Sequence, residues 1–110
     1  MSSPMEVLRD AVERQKPVSF EYVNPKKPNE PKGRRIGNPH AIYATAPGNI
    51  NVDLFQTGGV ALPVGVALPV WRDYALKYIA NLSIAEDLSF EIAEDYKPYN
   101  QKYARKFIKL

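Results

Sequence analysis

The side chains of this sequence that can do chemistry gather in two stretches far apart in the chain. One is Trp71-Arg72-Asp73-Tyr74-Ala75-Leu76-Lys77-Tyr78-Ile79, where two cations alternate with aromatic rings. The other is Asn38-Pro39-His40-Ala41-Ile42-Tyr43, which holds the single histidine. Rings that stack on a planar group, interleaved with cations that meet phosphate, are what a nucleotide or a single nucleic-acid strand requires. On that ground Arg72, Lys77 and His40 are candidate contacts for an anion. Trp71 and Tyr43 are candidate stacking faces. Each residue also has a plainer role open to it. Tyr74 and Tyr78 share a strand face with Leu76 and so fit a core, since alternation sorts strand residues into one inward set. A lone histidine after a proline fits an ordinary hydrogen-bonded position as well as a ligand contact. Arg72 and Lys77 share one face only if the strand carries a bulge between them.

Covalent and metal chemistry find little to work with. There is no cysteine and one histidine, which removes thiolate sites, histidine clusters and Cys-His pairs. Ser19, Ser83 and Ser89 lack the context of a nucleophile elbow, and Gly58-Gly59 lacks the lysine and hydroxyl partners of a phosphate loop. The acids from Glu86 to Asp95 lack the ligand spacing of a calcium loop. The expectation is a binding module, not an enzyme, with no cofactor and no metal.

Charge is distributed unevenly around a net of +3. Lys26, Lys27, Lys32, Arg34 and Arg35 form a basic block opposed only by Glu30, and the stretch from Tyr78 to Tyr96 carries acids alone. The tail from Lys97 is again basic. The first block reads either as a solvated loop or as a surface that steers nucleic acid toward the site. No run of about 18 apolar residues is present to span a bilayer, and no basic-then-apolar leader opens the chain, so the expected location is cytoplasmic.

The elements that must position these residues follow from local pattern. At 110 residues the chain reads as one domain. Ser3-Pro4-Met5-Glu6 carries an N-cap, a proline for the first turn and a capping-box acid. A helix is therefore expected over about residues 4–16, stopped by Pro17. Val18 to Tyr22 alternates as a strand, and the proline-rich stretch from Asn24 to Gly33 reads as a loop. A strand kinked at Pro39 runs into Ala46-Pro47-Gly48-Asn49, a turn, so Ala41 to Gln56 is expected to form a hairpin. The aromatic strand from Trp71 breaks its phase near Ala80-Asn81, where a bulge or bend is expected. Leu88 to Ile92 reads as a last strand, and the spacing of Tyr96, Tyr99, Tyr103 and Phe107 predicts an amphipathic helix over about 97–108. The whole is α+β and mainly β. Its short antiparallel strands favour a small barrel over about 18–93, flanked by N-terminal and C-terminal helices. Gly59 to Val64 is repeated without change as Gly65 to Val70. That apolar loop, together with the C-terminal helix, supports a second reading as a protein-interaction or homo-oligomer assembly module.

In order and spacing, these landmarks resemble the WYL-domain family over roughly Met5 to Ile84. The landmarks are the first helix, Val18 to Tyr22, the Pro39-His40 segment and the strand Arg72 to Ile79. The resemblance implies an SH3- or Sm-like antiparallel barrel of bacterial or phage origin that regulates transcription or defence by sensing nucleic acid or nucleotide-like ligands. It also implies that His40 and Arg72 stand at ligand-contacting positions. The chain departs from the pattern in three ways. Asn51-Val52-Asp53-Leu54-Phe55 stands where the namesake tripeptide belongs. Ala75 and Tyr78 replace two arginines of the last motif. No helix-turn-helix precedes the barrel.

Overall fold

A computed structural model describes residues 2–60 and 66–110. One α-helix, α1 (Pro4–Arg14), opens the chain and is followed by β1 (Val18–Tyr22), β2 (Arg34–Ala46), β3 (Asn49–Gly59), β4 (Val70–Ala75), β5 (Ile79–Ile84) and β6 (Lys106–Lys109). Ser3 caps α1 through its side chain, which accepts from the Glu6 N–H, and Pro4 occupies the first turn. The helix ends two residues before the expected limit because Gln15 turns left-handed at φ 53° and returns its N–H to Val12.

All strand pairings are antiparallel, in the order β4-β3-β2-β1-β5. A single 3-10 turn, Leu76–Tyr78, carries the chain from β4 at one end of that order directly into β5 at the other. The expected hairpin is the backbone of the sheet. β2 and β3 pair from Arg35↔Gly59 to Ala46↔Asn49, around Pro47 and Gly48. Gly48 supplies the positive φ (80°) of the turn. The kink expected at Pro39 is a bulge, since Pro39 faces Leu54 and Ala41 faces Asp53, which leaves His40 as the extra residue. The phase break at Ala80-Asn81 is a second bulge, with Asn81 at φ 51° and two residues of β5, Asn81 and Leu82, set against Phe20 of β1.

Two expectations are corrected. The segment 97–108 is not an amphipathic helix but a short 3-10 turn, Gln101–Arg105, followed by β6. Leu88 to Ile92 is not a strand but irregular chain. Both corrections have one cause. β1 pairs with β2 only from Arg34 to Gly37, which leaves the same edge of β2 unpaired further on. Backbone donors and acceptors on an open edge demand partners. β6 supplies them at Ala41, Ile42 and Tyr43, and the Leu110 N–H adds one more bond to the His40 carbonyl. The preceding irregular chain lies over the outer face of the sheet on the way to that edge.

The sheet is therefore buried on two faces. On the inner face, Val18, Phe20, Ile42, Val52, Leu54, Tyr74 and Ile79 pack with Leu8 and Ala11 of α1. On the outer face, Ala41, Tyr43, Tyr103 and Tyr96 form a second, smaller cluster. Of the duplicated Gly-Val-Ala-Leu-Pro-Val, the first residue, Gly59, ends β3 and the last, Val70, opens β4. The loop reading of that duplication falls largely on residues 61–65, outside the described residues.

Candidate functional site

The pleat of β4 decides where the sequence's candidate residues go. Trp71 faces Phe55 across the ladder and Arg72 faces Leu54, so successive side chains pass to opposite faces of the sheet. Trp71 joins the outer layer, where its ring meets His40 (4.8 Å), Phe55 (5.3 Å) and Tyr96 (6.1 Å). Arg72 goes with Tyr74 to the inner face. The stacking ring and the cation expected to share one ligand are thereby parted.

His40 is fully buried in the outer layer. Its Nδ1–H donates to the Asn38 carbonyl at 2.8 Å, and its Nε2 accepts the Ala93 N–H at 3.1 Å. This network assigns the neutral Nδ1–H tautomer, and burial holds the imidazole pKa below its ordinary value. Neither ring nitrogen is left for a ligand, so the geometry gives His40 the work of pinning the chain around Ala93 to the sheet. Tyr43 is also buried, and its hydroxyl donates to Asp53 at 2.7 Å. Lys77 stands on the 3-10 turn with its ammonium over the Tyr78 ring and 3.4 Å from Asn49 Oδ1, beside the β2–β3 turn. It is not brought to Arg72.

The basic block divides in a similar way. Lys26, Lys27 and Lys32 are exposed on the loop, with Lys27 3.9 Å from Glu30. Arg34 is committed to Ser19 (2.7 Å), the Asn81 carbonyl (2.9 Å) and Glu21 (3.9 Å). Arg35, expected among the steering residues, is instead 1% exposed. Strand alternation turns it inward beside Phe20 of β1.

Arg35 is the residue that the sequence reading misplaced, and it shares Tyr74 with Arg72. Its guanidinium carbon lies 5.6 Å from the Tyr22 ring centre and 5.7 Å from that of Tyr74. One nitrogen, Nη2, donates to the Pro31 carbonyl at 3.3 Å. Arg35 Nη1, Arg72 Nε and Arg72 Nη2 are buried with no acceptor among the described residues. Both guanidinium groups act on Tyr74. Burial raises the Tyr74 pKa, and the charges of Arg35 and Arg72 oppose that rise. The Tyr74 hydroxyl donates to Gln56 Oε1 at 2.6 Å, and Gln56 Nε2 donates to the carbonyls of Gly58 (3.1 Å) and Val60 (2.8 Å). The result is a polar cluster in which neither guanidinium has an ion-pair partner among the described residues, although the neighbouring Tyr22 phenol, raised chiefly by burial, is raised further by the nearby carboxylates of Glu30 and Asp73. Burial of an ion without a counter-ion costs several kcal/mol, and two cation–π contacts return only about 0.5–2 kcal/mol each. The arrangement is one that an anion would stabilise.

A second constellation lies on the outer face, around Asp53. Its carboxylate is 3% exposed and accepts from the Tyr43 hydroxyl (2.7 Å), the Tyr103 hydroxyl (2.6 Å) and the Lys102 ammonium (2.6 Å). Lys102 lies 5.5 Å from the ring centres of both Tyr43 and Tyr103. Burial first, and then the Asp53 carboxylate, push both phenols well above the usual tyrosine range. A cavity of about 360 Å³ opens beside this cluster, between β3–β4 and the C-terminal segment. This cluster is not singled out in the sequence reading; an aspartate set between Val52 and Leu54 on a strand is the one signal that points toward it. Tyr103 and Lys102 gave none, because their local spacing is helical. Among the described residues, no group of three or more histidine, cysteine, aspartate or glutamate side chains is placed to hold a metal ion. No helix among the described residues is long and apolar enough to cross a membrane. Neither the family models, the curated proteins nor the solved structures give a match to this chain, so the assignment of function rests on the geometry itself.

Proposed function

We propose that this chain is a non-enzymatic regulatory module that binds an anionic ligand, a nucleotide or a short single strand of nucleic acid, through Arg72 and Arg35. The observation that carries the reading is the set of three buried guanidinium nitrogens without an acceptor among the described residues. Unsatisfied buried donors are rare in native proteins, and each calls for an explanation. Arginine presents its donors in a planar fork suited to phosphate oxygens. The resemblance to the WYL family supports the same residue, Arg72. The strand order, with the 3-10 turn linking its two ends, supports an SH3- or Sm-like barrel as the frame. The exposed lysines at 26, 27 and 32 supply long-range attraction to the approaching anion.

Fluorescence anisotropy with labelled short DNA and RNA at low salt, competed with adenosine monophosphate, tests the proposal. Arg72→Gln removes the charge and the terminal guanidinium donors while leaving a shorter polar side chain in place. It should weaken binding by about tenfold or more, the loss expected when one charge-assisted contact is removed. Equal affinity of wild type and Arg72→Gln, or no binding by the wild type, overturns the reading.

A further inference from the structure

The cavity on the outer face is chemically unlike the guanidinium cluster and lies on the other side of the sheet. Trp71, Tyr96 and Tyr103 give it aromatic walls, and Asp53, Asp73 and Asp95 bring carboxylates to it. Asp53 is neutralised by Lys102 at 2.6 Å. Asp73 and Asp95 have no ion-pair partner among the described residues. Asp73 accepts a long bond (3.4 Å) from the Asn51 amide, and Asp95 accepts the Trp71 indole N–H at 2.9 Å. Lys97 is the remaining cation at the rim, and Arg72 meets the wall from the strand between Trp71 and Asp73, its side chain turned to the other face by the pleat. After Asp53 and Lys102 cancel, two carboxylates face one ammonium.

Aromatic faces combined with carboxylates recognise organic cations, because the ring quadrupole and the acid attract the same charge. The fold already contains one such pairing. The Lys102 ammonium rests on Asp53 and between the rings of Tyr43 and Tyr103, each 5.5 Å away. At about 360 Å³ the cavity falls in the range of small-ligand sites. A purely acidic cluster would attract hydrated metal ions as readily as organic ones, but the aromatic walls favour a cation with an apolar surface.

We propose that this cavity is a binding site for an organic polycation of the polyamine class, with its ammonium groups on Asp73 and Asp95 and its methylene chain against Trp71 and Tyr96. The site needs neither Arg35 nor Arg72 and stands apart from the anion reading.

Trp71 is the only tryptophan in the chain, so its fluorescence and its indole N–H resonance both report on the cavity. Spermidine, titrated at constant ionic strength, should give a saturable fluorescence change and shift the indole proton bonded to Asp95. Both acids are exposed, so Asp73→Asn and Asp95→Asn leave the fold in place, and the second keeps an acceptor for the indole. Each variant should bind spermidine about tenfold more weakly, and the pair together more weakly still. Its response to adenosine monophosphate should stay at the wild-type level, which separates failure here from failure of the anion site. A non-saturable response, an equal response to sodium chloride, or unchanged affinity in the double variant overturns the proposal.

Discussion

Two residues show how the same side chain takes a different role according to the partners it meets. Arg34 and Arg35 are adjacent and chemically identical. Arg34 is bonded to Ser19, Asn81 and Glu21 at the surface, whereas Arg35 lies under Tyr22 and Tyr74 with one nitrogen unpartnered. His40 is the residue whose behaviour is simplest to test. It is buried and neutral, and its pKa is lowered from 6.5, chiefly by burial. The unfolded chain therefore binds a proton more readily than the folded one. Linkage then requires stability to be complete above pH 6.5 and to be lost as the pH falls from there toward the lower folded value. Thermal melts between pH 8 and pH 5 should show this decline, and His40→Gln should flatten it while lowering stability throughout. A wild-type melting temperature that holds constant or rises on acidification contradicts the buried neutral imidazole.

At the scale of elements, β2 is the organiser. It pairs with β3 along its whole length and shares its other edge between β1 and β6. That arrangement requires close backbone approach at Gly37, where the register of β2 on β3 shifts. A Cβ there would meet the Phe55 carbonyl at 2.7 Å and the Leu54 side chain at 2.8 Å. Because the obstruction includes backbone, it cannot swing aside. Gly37→Ala should cost about 1–3 kcal/mol, the usual penalty for overpacking a close-packed interior. Urea denaturation should show a lower midpoint with an unchanged slope. The same element explains why the tail is not a helix. Tyr103 meets Tyr43 and Asp53 on the outer face, Ile108 faces Ile42 across β6, and Tyr99 is left 94% exposed. Helical spacing in the sequence lost to an unpaired strand edge and a buried carboxylate, each of which needs partners that no isolated helix offers.

For the whole molecule, the basic block of the sequence is divided between the exposed lysines at 26, 27 and 32 and two arginines that are engaged or internal. The acids from Glu86 to Asp95 and the basic tail lie close together in sequence, Arg34 is engaged at the surface, and Arg35 is internal. If two guanidinium groups carry the binding of a short single strand, its affinity should fall with salt at a logarithmic slope of about −1.4. Anisotropy titrations across a range of sodium chloride concentrations measure this slope directly. A slope steeper than about −3 would transfer the binding from the two arginines to the lysine-rich loop.

Much of this protein is legible along the chain. The capped first helix, the β1 strand, the hairpin around Pro47-Gly48 and the two bulges follow from residues that are neighbours in sequence, because capping, alternation and turn geometry are short-range effects. The absence of cysteine and the single histidine likewise bound the chemistry from composition alone. Tertiary structure decided what depended on partners distant in the chain. It turned Arg35 inward to Tyr74 and set Trp71 and Arg72 on opposite faces. It committed both nitrogens of His40 and drew the tail into β6. Burial and edge pairing are long-range demands on the chain, so a residue's type and spacing name its chemistry, but only the fold chooses the partner on which that chemistry acts.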